Sequence, residues 1–209
     1  MDKLVKTRRG GPRTFDRDHA VDTAMRLFWR HGYEGVSLND LTTAIGIAPP
    51  SLYAAFGNKA GLYREALQRY FGLRGRVTEI GAPASLEEAI GTLLHKAVDA
   101  VVDPAGERGC MISSGMIECG SDHAELAREL AERRNDMREM IAELFGQWLD
   151  HQPAVSLARY CVAVFQGLSV QARDGATRQE LEQVVAEVLA GVQARRLGAA
   201  PAEPRAASV

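Results

Sequence analysis

The chain has 209 residues, 46% hydrophobic and 25% charged, with a net charge of −2 and an aromatic share of only 6%. That supply of apolar residues supports a sizeable core, in one domain or in one small and one medium domain, and the bias to Ala, Leu, Glu and Arg favours helices over strands. Three irregularly spaced cysteines argue against a disulfide framework, no apolar run approaches the eighteen or so residues of a membrane span, and the basic N-terminus lacks a following apolar region; the expected compartment is cytoplasmic.

The net charge conceals a polarity. Residues 1–80 carry 13 Lys and Arg against 8 Asp and Glu, whereas the remainder carries 12 against 19. A basic first part on an acidic body suits DNA binding at one end, because phosphate contacts dominate such affinity.

Residues 1–14 hold Lys3, Lys6, Arg8, Arg9 and Arg13 around a Gly10-Gly11-Pro12 break and read as a flexible basic arm. A first helix is expected from Asp16 to His31, with Ala20, Ala24, Leu27, Phe28 and His31 on its apolar face. Ser37 followed by Asp40 resembles a capping box, and Leu38, Leu41, Ala44 and Ile45 form one stripe at helical spacing. Gly46 ends that second helix. A third begins near Pro49 or Pro50, where a missing N–H costs nothing in the first turn, and Leu52 and Phe56 anchor it. Helix, short glycine turn, helix is the helix-turn-helix arrangement, whose second helix enters the DNA major groove.

Asn58 is expected to cap a fourth helix to roughly Arg76, with Leu62, Ala66, Tyr70 and Leu73 on one side. Gly81-Ala82-Pro83 breaks it, and Ser85 with Glu88 starts a fifth helix over 86–102. After a loop at 103–106 the apolar stretch Cys110 to Cys119 is expected to form a short sixth helix. Its glycines at 109, 115 and 120 let it bend, which suggests a moving part beside a ligand. Gly120-Ser121-Asp122 caps a seventh helix to about Asp150, with Glu and Arg pairs on a solvated face. Pro153 marks a break before an eighth helix over 155–172 and a ninth over 178–196. Residues 198–209, small and Pro/Ala-rich, are expected to be disordered.

Phe15-Asp16, Ala24, Phe28, Gly32-Tyr33, Gly35-Val36-Ser37, Leu41, Ile45-Gly46-Ile47, Ser51-Leu52-Tyr53, Phe56 and Asn58-Lys59 closely resemble the N-terminal domain of the TetR (tetracycline-repressor) family of bacterial transcription regulators. Specific motif residues cover roughly a quarter of the chain; the rest resembles the family in length and helical layout. The resemblance implies an all-α fold of about nine helices. A helix-turn-helix domain at 15–57 would bind an operator, and a body at 58–197 would bind a small molecule and dimerise. It also implies that Asn39, Pro49, Pro50 and Ser51 approach bases while Ser37, Tyr53 and Lys59 hold phosphates. The chain departs from the family at Ala54 and Ala55, one of which often is a histidine or large aromatic. The arm, and Arg13 in it, then gains weight as a backbone or minor-groove contact.

The eighth and ninth helices carry more apolar surface than one small core needs. Cys161, Phe165, Leu168, Leu181, Val185 and Val188 are the expected homodimer contacts, and the resemblance also implies a four-helix bundle between subunits. A cavity among the body helices is the natural place for an unidentified small-molecule effector. Its candidate lining is Leu94, His95, Val98, Met111, Ile112, Met116, Trp148 and Phe165. Cys110 and Cys119, nine apart, would point to opposite faces of one helix, so neither a shared metal site nor a disulfide within the chain is expected. No nucleophile elbow, phosphate loop or metal-spaced cluster stands out, and no cofactor is expected. The expected function is a dimeric repressor released from a palindromic operator by a small molecule. The alternatives are an activator or architectural DNA-binding protein without a ligand, and, from another class, an enzyme using the body cavity.

Overall fold

The computed structural model describes residues 16–74, 80–113, 115–117 and 119–198; the expected arm with Arg13 and nearly all of the tail lie outside them. The described residues form eight α-helices and one 3-10 turn: α1 Arg17–His31, α2 Leu38–Ile45, α3 Pro49–Phe56, α4 Lys59–Arg74, α5 Leu86–Val102, the turn Ser121–His123, α6 Ala124–Phe145, α7 His151–Arg173 and α8 Arg178–Gly198.

The helix ends follow the capping chemistry of the sequence. The Asp16 carboxylate accepts the His19 N–H and starts α1. Ser37 and Asp40 form both halves of the capping box on α2, and Gly46 closes that helix in the left-handed conformation at φ 77°, a region an L side chain enters only at a cost. The Asn58 side chain accepts the Gly61 N–H at 2.8 Å at the head of α4. Ser85 accepts the Glu88 N–H at 3.1 Å, and Glu88 accepts the Ala84 N–H at 2.7 Å, at the head of α5.

Two packing units share one continuous core. In the first, α1 lies on α4 and on α2. It buries Ala20, Val21, Ala24, Met25, Phe28 and Trp29 against Leu62, Tyr63, Ala66, Leu67 and Tyr70. Each wholly buried large apolar side chain there contributes about 1.5–3 kcal/mol. Leu41, Leu52 and Phe56 seat the two short helices on this platform, and they need it, because eight-residue helices are too short to persist alone. In the second unit α6 packs on α7, and α5 packs on α8 and α7.

Three expectations are corrected. Residues 110–119 are turns among the described residues, not a sixth helix. Gly109 and Met116 take positive φ values of 82° and 55°, and the carbonyls of Ile112 and Gly115 accept from the Arg134 guanidinium at 3.0 and 2.9 Å instead of from a helical ladder. No space lies beside Gly115: a Cβ there would meet Met111 O at 2.4 Å, Leu130 Cδ2 at 2.7 Å and Tyr63 Oη at 3.1 Å. Finally, Pro153 does not precede the next helix. It stands inside the first turn of α7, where its missing N–H would have no helical partner.

Candidate nucleic-acid interface

The turn between α2 and α3 sets their crossing. Gly46 and Ile47 N–H groups both bond to Thr42 O, at 2.9 and 3.0 Å. Leu52 and Phe56 face inward, so the opposite side of α3 faces out. Pro49 and Pro50 are exposed, Ser51 is half-buried, and Tyr53 is 48% exposed. Asn39 on α2 is exposed as well. The first turn of α3 has no side-chain cap on its N–H groups, and Ala48 in the cap position offers none.

Behind this surface the recognition helix is held at its C-terminal end. Arg17 on α1 donates to Ala55 O at 2.8 Å, pairs with Glu65 at 2.5 Å and lies 4.5 Å over the Phe56 ring. One guanidinium thus satisfies an otherwise orphan carbonyl at the end of α3 and ties α1, α3 and α4 together. Sequence reasoning missed Arg17; the signal was a long cation at the head of the platform helix, which is indistinguishable from a solvated charge until the helices pack.

Ser37 is exposed, but its hydroxyl is engaged: it donates to Asp40 Oδ2 at 2.6 Å and accepts the Asp40 N–H at 3.1 Å. The hydroxyl bond and the Ser37 N–H, which donates to the same carboxylate oxygen at 2.8 Å, hold the Asp40 carboxyl below its ordinary range. Lys59 opens α4 with its Nζ 4.1 Å from the centre of the Tyr33 ring. Burial pushes its ammonium below the ordinary lysine value, and Glu34 and Asp40 partly restore it. Tyr33 also meets Tyr63, at 5.1 Å between centroids, and His123, at 4.9 Å.

The other expected sites fare unevenly. His95 does not line a cavity: it is exposed and its Nδ1 lies 2.7 Å from Glu182 on α8. Its place on α5 turns it away from Leu94 and Val98, which are fully buried. Met111, Met116 and Phe165 are buried, and Ile112 and Trp148 are partly buried against the same core. A groove of about 710 Å³ lies between α6 and α7, lined by Arg138, Ala142, Leu149, His151, Val155 and Arg159 among others. None of the eight expected lining residues is in it.

The six expected dimer contacts, Cys161, Phe165, Leu168, Leu181, Val185 and Val188, are all buried within the single chain. They are its own core, because α5 packs on α7 and α8 from that side. The unfilled face of α7 is instead Tyr160, Ala163, Val164, Gly167 and Val170, at three- and four-residue steps. Tyr160 and Val170 are 41% and 49% exposed, and Gly167 has nothing within 4 Å of where a Cβ would stand. Arg195 of α8 lies 5.9 Å over the Tyr160 ring at its edge.

A capped α2, a glycine turn and a short α3 presented outward from the platform of α1 and α4 define a helix-turn-helix DNA-binding protein with a helical body. A profile of bacterial regulatory proteins of the tetR family matches residues 20–66. The HTH-type transcriptional repressor ComR of Escherichia coli K12 is 34% identical over 90% of this chain and 93% of its own. The repressor BdcR of the same organism is 30% identical over 82% and 86%. A solved structure of a cysteine-substituted form of the TetR family regulator CifR, bound to 26-bp double-strand operator DNA, is 38% identical. It covers 86% of this chain and 98% of that one, with a TM-score of 0.78. This chain belongs to the TetR family of transcriptional regulators, and these relatives are regulators rather than enzymes. Among the described residues no group of three or more His, Cys, Asp or Glu is placed to hold a metal ion.

Proposed function

We propose that the protein is a homodimeric transcriptional repressor that occupies a palindromic operator and leaves it when a small molecule binds the body. The observation that carries this is the outward edge of α3, Pro49-Pro50-Ser51 with Tyr53 beside it, braced from behind by Arg17 and flanked by the Lys59 ammonium. Apolar Pro49 and Pro50 suit thymine methyl groups, and Ser51 and Asn39 suit hydrogen bonding to bases. Tyr53 and Lys59 suit phosphates, which fix register without reading sequence. Ser37 contributes mainly by holding α2 in place. Residues 15–57 act as the reading head and 58–197 as the body.

The open stripe on α7 supports a dimer formed by α7 and α8 of two copies. Glycine and alanine permit close approach of helices, while Tyr160, Val164 and Val170 supply apolar area. Two reading heads then sit one helical turn of DNA, about 34–36 Å, or a multiple of it, apart. An effector that prefers the conformation with the wrong spacing lowers operator affinity through one shared equilibrium.

Selection from a randomised DNA pool with the full chain tests the reading. The expected product is an inverted repeat bound by one dimer in sedimentation. Small molecules that raise the melting temperature are then scored for release of that DNA. A selected site without two-fold symmetry, or a protein that binds it as a monomer, refutes the proposal.

A further inference from the structure

The reading head meets the body through α4, which belongs to both, through Tyr33 and Glu34 against His123 and Gly120, and through a knot of hydrogen bonds around residues 107–110, to which α1 is tied by its C-terminal turn. The Trp29 indole N–H donates to Gly109 O at 3.0 Å in a buried setting. Arg173, in the last turn of α7, donates from Nη2 to Trp29 O at 2.9 Å. Trp29 O lies in the last turn of α1, where a cation is favoured by the helix dipole.

The knot itself is fixed from the body side. Gly109 N–H bonds to Val101 O at the end of α5 at 2.9 Å. Cys110 N–H bonds to Ser169 Oγ on α7 at 2.8 Å. Arg108 reaches Ala172 O and Ala176 O at 3.1 and 2.8 Å. Arg30 adds a bidentate pair with Glu107, both bonds 2.9 Å. Gly109 sits at φ 82°, and a Cβ there would lie 2.7 Å from Arg173 Nε and 2.9 Å from Ser169 O. The close approach of Arg173 thus depends on the absent side chain.

We propose that Arg173 and Trp29 are positioning residues that set the angle of each reading head against α7, and so fix the operator half-site spacing that the dimer accepts. This rests on the reading of α7 as a dimer helix. If α7 is held by the two-fold axis, its C-terminal Arg173 is a fixed point, and the carbonyl it grips belongs to the helix on which α2 and α3 are seated. Releasing that grip leaves each head its own contacts to DNA and, with the Arg30–Glu107 pair and the Tyr33–His123 contact still in place, loosens its orientation relative to the other head.

The experiment uses the operator selected by the full-length protein, and versions with one or two base pairs inserted or removed between half-sites. Affinity is titrated for the parent, Arg173→Leu, Arg173→Lys and Trp29→Phe. Trp29→Phe removes the indole donor but keeps a ring against Tyr70, now 4.9 Å away edge-to-face. The expected result is that Arg173→Leu and Trp29→Phe discriminate against wrong spacing about tenfold less than the parent, a change of about 1.4 kcal/mol. Affinity for a single half-site should be unchanged, and Arg173→Lys, which can still donate to Trp29 O, should keep most of the discrimination. A general loss of stability would weaken all DNAs alike. A dimeric Arg173→Leu or Trp29→Phe protein with the parental spacing profile overturns the inference. So does a loss of dimer in Arg173→Leu accompanied by a parental profile in Trp29→Phe. Failure of the parent to bind as a dimer would instead strike at the function proposed above.

Discussion

Replacing Lys59 with Gln removes one positive charge from each reading head. Each phosphate contact carries a slope of about 0.9 in log affinity against log salt, so a dimer that loses two contacts should lose about 1.8 in slope. Between about 1 M and about 0.15 M salt this reduces the gain in affinity by about 30-fold, or about 2 kcal/mol. The fold should survive: the ammonium is only half-buried over Tyr33, and an exposed cation–ring contact is worth about 0.5–1 kcal/mol. That corresponds to a fall of about 1–4 °C in melting temperature for a chain of this size. The pH dependence has a definite sign. Burial lowers the Lys59 pKa in the free protein, and a phosphate is held only by the charged amine. Operator affinity should therefore fall as pH rises through values below the ordinary 10.5, and Lys59→Gln should flatten that limb. The assay is fluorescence anisotropy of labelled operator across salt and pH, with sedimentation to show that the variant is dimeric. A dimeric Lys59→Gln protein with the parental salt slope removes Lys59 from the interface.

Ser37→Ala removes the hydroxyl half of the capping box, leaving the residue-37 N–H on the Asp40 carboxylate, and should cost about 1 kcal/mol, seen as a lower melting temperature. Because the Ser37 bonds lower the Asp40 pKa, the stabilisation is whole above the ordinary value of 3.8 and is lost as pH falls through the lower folded value; the gap between parent and variant melts should close on acidification, and a gap independent of pH contradicts this. Gly167→Glu fits the isolated chain, since nothing lies near the added side chain, but places charges in the proposed interface. It should yield a folded monomer in sedimentation, whereas charges at Phe165 or Val188 should unfold the chain because both are buried in its own core. Burial pushes the Cys161 thiol up to about 12, so mass spectrometry after alkylation of the native protein near pH 8 should find Cys161 unmodified while half-buried Cys119 reacts first.

Local sequence determined the reading head almost completely. Ser37 with Asp40, Gly46, and Pro49 at a helix start each act through the backbone of the next few residues, so their effect is legible without knowing what packs on them. The same holds for Asp16 at the head of α1 and Ser85 at the head of α5. Periodicity also identified the long apolar faces of the body helices. What it could not decide was which neighbour each face meets. Cys161 and Val188 were apolar residues on helices with surplus apolar surface; only packing against α5 made them interior and left Tyr160, Gly167 and Val170 outside. The stretch from Cys110 to Cys119 had the apolar content of a helix, yet Arg134, from α6, claims the carbonyls a helix would need. His95 was drawn outward by Glu182, which is 87 residues away. Arg17, Trp29 and Arg173 gained their roles the same way, through long-range bonds to backbone carbonyls. A cap is a contact between residues three apart and is written in the sequence; a buried face or a side chain bridging two helices depends on distances that the chain acquires only when it is folded.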